Sequence, residues 1–205
     1  MTVGQLLDTV RERYLTQLRR GVSEVQEAGM EAWVEPAYCD KDGGLVREGE
    51  LNLPLRLDVV GVANGETQER VCVDSNSLLG FKPIEFEWSG GLPIRLTPFH
   101  WDGCHVRAIG VPKIAVWSPL CGWFDRWFDG EDTRQPDSNG LYGVIHFLSD
   151  PKREEAAVVF EVDFGSAPVE AFEEFLDALH NLGATKIEIG YDHDAPNQAT
   201  AAPDV

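Results

Sequence analysis

The sequence predicts an α+β protein: a single, mainly antiparallel curved sheet with a long N-terminal helix, a short Trp-rich helix and a C-terminal helix. Three observations predict it. Short apolar runs punctuated by turn residues fill 31–115 and recur in 141–164 and 186–191. Helical periodicity is confined to 4–28, 118–129 and 168–182. The strands cluster, and the helices flank them instead of alternating with them, which separates α+β from α/β order.

The first helix covers 4–28. Leu7, Val10, Tyr14, Leu18, Val22 and Val25 recur at steps of three and four, so they line one face, and Gly29 is the stop. Gly21 lies inside this span and costs about 1 kcal/mol relative to alanine, which makes it the place for a break. Strands are expected at 51–63, 69–73, 84–88, 94–101 and 104–111. Asn64-Gly65 and Asp102-Gly103 suit two-residue hairpin turns, whose central positions both need positive φ.

Ser118-Pro119 reads as N-cap and first helical residue. Leu120, Trp123, Phe124, Trp127 and Phe128 follow at a helical period, up to Gly130. Residues 131–140 form a polar loop, and 141–148 and 156–164 read as strands. Ser166 and Pro168 open the last helix, with Val169, Phe172, Leu176 and Leu179 on one face and an end around Gly183. Residues 186–191 complete a β-α-β unit in which that face packs on Phe160, Val162, Ile187 and Ile189. One domain over 1–191 is expected, then a flexible acidic tail over 192–205, rich in Ala, Pro and Asp.

The 205 residues are 43% hydrophobic and 25% charged, the proportions of an ordinary globular protein. The net charge of −18 is uneven: 151–205 holds twelve acids and three bases, half of the excess. Such a field repels phosphate backbones and anionic headgroups, so the reading is no nucleic acid and no membrane. It attracts a basic protein partner. No apolar run approaches the roughly 18 residues that span a bilayer. Residues 1–18 do not pattern as a signal peptide. Cys39, Cys72, Cys104 and Cys121 form no CxxC pair and read as free thiols, so the expected location is cytoplasmic.

Few constellations carry chemistry. In His100-Trp101-Asp102-Gly103-Cys104-His105, a hairpin at Asp102-Gly103 would set His100 beside His105 and turn Cys104 to the other face with Phe99, Trp101 and Val106. That cross-strand His pair is the one candidate metal site. Glu85 and Glu87, and Glu161 and Asp163, alternate with apolar residues. With Glu188 they form an acidic sheet face if the strands share one sheet. His146 lies in an apolar run and reads as a satisfied core histidine. No GxSxG elbow, Walker A, GxGxxG after a strand, HExxH or EF-hand loop occurs. No cofactor is implied.

The leading expectation is a non-catalytic, acidic protein-binding protein, an inhibitor or immunity-type protein for a basic partner. Its contact residues would be Glu161, Asp163 and Glu188 on the sheet, Glu170, Glu173, Glu174 and Asp177 on the last helix, and Trp123 and Trp127. One alternative is a metal-binding protein or enzyme using His100 and His105. Another is a structural accessory subunit that assembles through the Trp-rich helix.

Overall fold

A computed structural model describes residues 1–73 and 78–191. The polar turn read at 74–77 and the tail read at 192–205 lie outside the described residues. Helix α1 (Val3–Glu27) opens on a capping box: the Gln5 amide donates to Thr2 Oγ1 at 3.2 Å, and the Thr2 amide donates to Gln5 Oε1 at 2.9 Å. The helix does not break at Gly21. A Cβ there would lie 3.2 Å from Val73 and 3.4 Å from Val71, so the glycine serves close approach instead.

Beneath α1 lies a small antiparallel sheet of β1 (Glu31–Val34), β2 (Val59–Ala63) and β3 (Glu66–Val71). Asn64 and Gly65 take φ of 55° and 80°, the left-handed pair that the β2–β3 hairpin requires. The larger sheet contains β4 (Ile84–Trp88), β5 (Leu92–Leu96), β6 (Cys104–Ile109), β7 (Phe147–Leu148), β8 (Lys152–Arg153), β9 (Ala157–Asp163) and β10 (Lys186–Gly190). Its order is β4-β5-β10-β6-β9-β7, with β8 also on β9, and every pairing is antiparallel except β5 with β10.

The single sheet of the sequence reading is therefore two. The expected strand at 51–63 joins a ladder only from Val59; before it, 37–56 carries isolated bridges at Ala37–Arg56, Cys39–Leu45 and Glu48–Leu53. That irregular stretch lets β1–β3 form a separate layer, whose apolar face α1 covers.

The hairpin at Asp102-Gly103 is also corrected. β5 ends at Leu96, and β10 lies between β5 and β6, so 94–101 and 104–111 never pair. The facing survives: Phe99, Trp101, Cys104 and Val106 are all fully buried. Burial, not strand pairing, produces that pattern.

Helices α2 (Ser118–Phe128) and α3 (Val169–Asn181) pack against each other. β9 and β10 each run antiparallel to β6, so β9-α3-β10 is a parallel unit with one strand between. Phe172 is fully buried and its ring centroid lies 6.1 Å from those of Phe99 and Trp101 and 5.5 Å from that of Phe164. Leu176, Leu179, Phe160, Val162, Ile187 and Ile189 are buried in the same core.

Candidate functional site

The acids read as one surface have different fates. Register puts Glu85, Glu87, Glu161 and Glu188 on the same side of the larger sheet. Bases interleave with them. Arg107 donates to Glu188 at 3.0 Å and to Glu154 at 2.8 Å, Lys186 donates to Glu188 at 2.7 Å, and Arg95 approaches Glu85 at 4.0 Å. That face is mixed in charge rather than acidic. Trp123 and Trp127 are buried: their indole N–H groups donate to Ala171 O and Glu174 Oε2, both at 2.8 Å. On α3, Glu170 and Asp177 are exposed and Glu173 and Glu174 half-buried. His100 packs edge-on to Tyr191, and His105 pairs with Gly190, so β10 separates the two strands that were to bring the histidines together.

Asp163 differs from these acids in its surroundings. It closes β9 at a buried polar cluster built where the ends of the two sheets meet. Glu35 follows β1 and Asp58 precedes β2; the Val34–Val59 pairing brings them together, and the Glu35 amide donates to Asp58 O at 2.8 Å. His146 precedes β7, and its amide donates to Asp163 O at 3.0 Å. The Arg56 amide donates to His146 O at 2.9 Å, joining the halves. Tyr14 reaches in from α1 and donates to Asp58 Oδ1 at 2.6 Å.

The His146 imidazole is the centre. Its Nε2 lies 2.9 Å from Glu35 Oε1. Its Nδ1 lies 3.1 Å from Asp58 Oδ1 and 3.6 Å from Asp163 Oδ2. The remaining carboxylate oxygens are held elsewhere. Glu35 Oε2 accepts from Ser166 Oγ at 2.7 Å and from the Tyr142 amide at 2.9 Å; Asp58 Oδ2 accepts from the Val73 amide and Asp163 Oδ1 from the Gly165 amide, both at 2.8 Å. Nearby, the buried Arg56 guanidinium donates to the carbonyls of Phe128, Glu35 and Asp129 and to Asp132 Oδ1.

The backbone is adapted to this packing. Glu35 has φ 52°, a left-handed conformation that costs a non-glycine residue of order 1–3 kcal/mol. Gly165 has φ 49°, and a Cβ on it would lie 2.4 Å from the His146 ring and 2.5 Å from Val144 O. Only glycine lets the β9–α3 turn lie against the imidazole.

Burial alone would lower the His146 pKa, but Asp163, Asp58 and Glu35 override it and hold the imidazolium well above its ordinary range. Burial raises Glu35 and Asp58 too, yet hydrogen bonds and the charge of His146 leave both below the usual carboxylate range. Burial pushes Asp163 up to about 6 against the pull of His146, with Asp58 and Asp102 adding repulsion. Even with a charged imidazole, three ionised carboxylates leave the cluster negative.

The reading of His146 as a core histidine describes its burial but missed its partners. Glu35, Asp58 and Asp163 sit at the ends of apolar runs, where an acid ordinarily marks a solvated turn, so only their convergence distinguishes them. Among the described residues, Asp58, His146 and Asp163 form the group of three ligand-type side chains close enough to hold an ion, with their ligand atoms all within 4.8 Å of one another. Cys39, Cys104 and Cys121 are free thiols. Among the described residues, no helix is long and apolar enough to cross a membrane. Comparison with protein-family models, curated proteins and solved structures found no match to this chain.

Proposed function

We propose that this chain is a non-catalytic binding protein that engages a basic protein partner through the outer face of α3, in the manner of an inhibitor or immunity-type protein. The observation that carries this reading is the grouping of Glu170, Glu173 and Asp177. They stand three and four residues apart on one helical face, and among the described residues no salt bridge reaches any of them. Burial, with a smaller contribution from the charges of Glu170 and Asp177, raises the Glu173 pKa. Like charges at this spacing cost a few tenths of a kcal/mol each, a cost that an approaching cationic surface relieves. The sheet face, by contrast, carries its own bases.

The alternatives draw less support. The two-strand ladder that would set His100 beside His105 does not form, and the indoles of Trp123 and Trp127 are engaged inside the protein. The thiols of Cys39, Cys104 and Cys121 suit a reducing compartment such as the cytoplasm.

The test is charge reversal at Glu170 and Glu173. Glu174 and Asp177 accept the indole N–H groups of Trp127 and Trp88, so changing them would also disturb packing. A partner captured from the native host at low salt should associate more slowly with E170K/E173K and as salt rises. A partner that binds this variant with unchanged rate and salt dependence removes α3 from the interface.

A further inference from the structure

We propose that Asp58, His146 and Asp163 bind a single first-row divalent cation of the zinc class, through Asp58 Oδ1, His146 Nδ1 and Asp163 Oδ2. These three atoms converge: Nδ1 is 3.1 Å from Asp58 Oδ1 and 3.6 Å from Asp163 Oδ2, and all three lie within 4.8 Å of one another. An ion about 2.0–2.2 Å from each ligand in a tetrahedral arrangement sets ligand atoms roughly 3.3–3.6 Å apart, close to the two separations from Nδ1; the Tyr14 hydroxyl, 2.6 Å from Asp58 Oδ1 and 3.4 Å from Nδ1, must turn aside or join the shell as the ion enters.

The mixed nitrogen and oxygen donors distinguish the site from a patch of surface acids. Each ligand also has its other polar atom fixed. Glu35 Oε1 holds the Nε2 proton, so Nδ1 becomes the coordinating nitrogen once the ion displaces the Nδ1 proton to solvent, the carboxylate–histidine–metal arrangement of an outer shell. The Val73 amide holds Asp58 Oδ2, and the Gly165 amide holds Asp163 Oδ1. One oxygen of each aspartate is thereby presented to the imidazole.

Access exists on the aspartate side. The Asp58 and Asp163 side chains are 12% and 22% exposed, against 1% for His146. Water or a ligand atom from a partner would complete the shell there. Two ligands flank β2 and β9, so a bound ion would tie the smaller sheet to the larger.

The probe is Co2+, added to chelator-stripped protein carrying C39S/C72S, because those two exposed thiols are competing ligands. The expected result is one ion per chain, with visible d–d absorption and no sulfur charge-transfer band. Zn2+ should displace it in competition, and the melting temperature should rise with Zn2+ concentration. Both D58N and D163N should weaken Co2+ binding at least about 10-fold, a loss that outer-shell changes already reach. H100A/H105A should bind as tightly as the parent. Should either aspartate variant fail to fold, paramagnetic broadening by Mn2+ in the otherwise unaltered chain locates the ion: the Val73, Gly165 and Ser166 amides should broaden first. Absence of saturable binding, equal binding by D58N and D163N, or first broadening elsewhere would overturn the proposal.

Discussion

Glu35 Oε1 lies 2.9 Å from His146 Nε2, and both side chains are fully buried although they stand 111 residues apart in the chain. Glu35 reaches this position from a left-handed backbone, with its carbonyl accepting from Arg56 Nη1 at 2.6 Å. The contact joins the end of the small sheet to the strand edge of the large one. Buried charges at such a junction cost desolvation, and removing one partner strands the other.

Stability should depend on pH through this cluster. In metal-free buffer, His146 binds its proton more tightly folded than unfolded, so its contribution is fully present below the ordinary value of 6.5 and is lost as pH rises through the raised folded value. Asp163 is raised from 3.8 to about 6, so its contribution falls between those values as pH rises. Glu35 and Asp58 are lowered and act in the opposite sense: their contributions hold above the ordinary carboxylate range and are lost on acidification through the depressed values. Urea unfolding should therefore show declining stability above pH 6.5. D163N should gain relative to the parent between pH 4 and pH 7, by on the order of 2–3 kcal/mol. A constant difference across that range would show that Asp163 ionises normally.

Gly165→Ala should destabilise the protein by about 2 kcal/mol or more, because its Cβ meets both the His146 ring and Val144 O at a left-handed φ. Gly103→Ala is the control. Nothing lies within 4 Å of a Cβ there, and its φ is not in the left-handed range, so the change should stay within about 0.5 kcal/mol. Equal denaturant midpoints for the two variants would contradict the packing of the β9–α3 turn on the imidazole.

Phe172→Ala should cost about 3–5 kcal/mol, the usual range for a buried phenylalanine. Its ring stacks on Phe99 and Trp101 and tilts against Phe164, so the lost contacts involve both α3 and the sheet. Denaturant melts with unchanged slope and a loss below about 1 kcal/mol would make α3 peripheral to stability.

Elements with local signals could be read directly from the chain. The stripe on α1, the aromatic period of α2, the β9-α3-β10 unit and the Asn64-Gly65 turn all follow from side-chain periodicity or from the backbone needs of a turn. The inward facing of Phe99, Trp101, Cys104 and Val106 was also legible, since alternation reports burial without reporting which strand lies alongside. The entry of β10 between β5 and β6, which removes the Asp102-Gly103 hairpin expected to pair His100 with His105, was a tertiary outcome. Tertiary structure decided too that Gly21 is a contact point for Val71 and Val73 instead of a break. The cluster at His146 was least accessible to sequence reasoning. Its acids come from 35, 58 and 163, each at the end of an apolar run, and no local period can tell a carboxylate that faces water from one that faces a buried imidazole. That distinction depends on how two sheets meet, a long-range packing outcome to which many residues contribute.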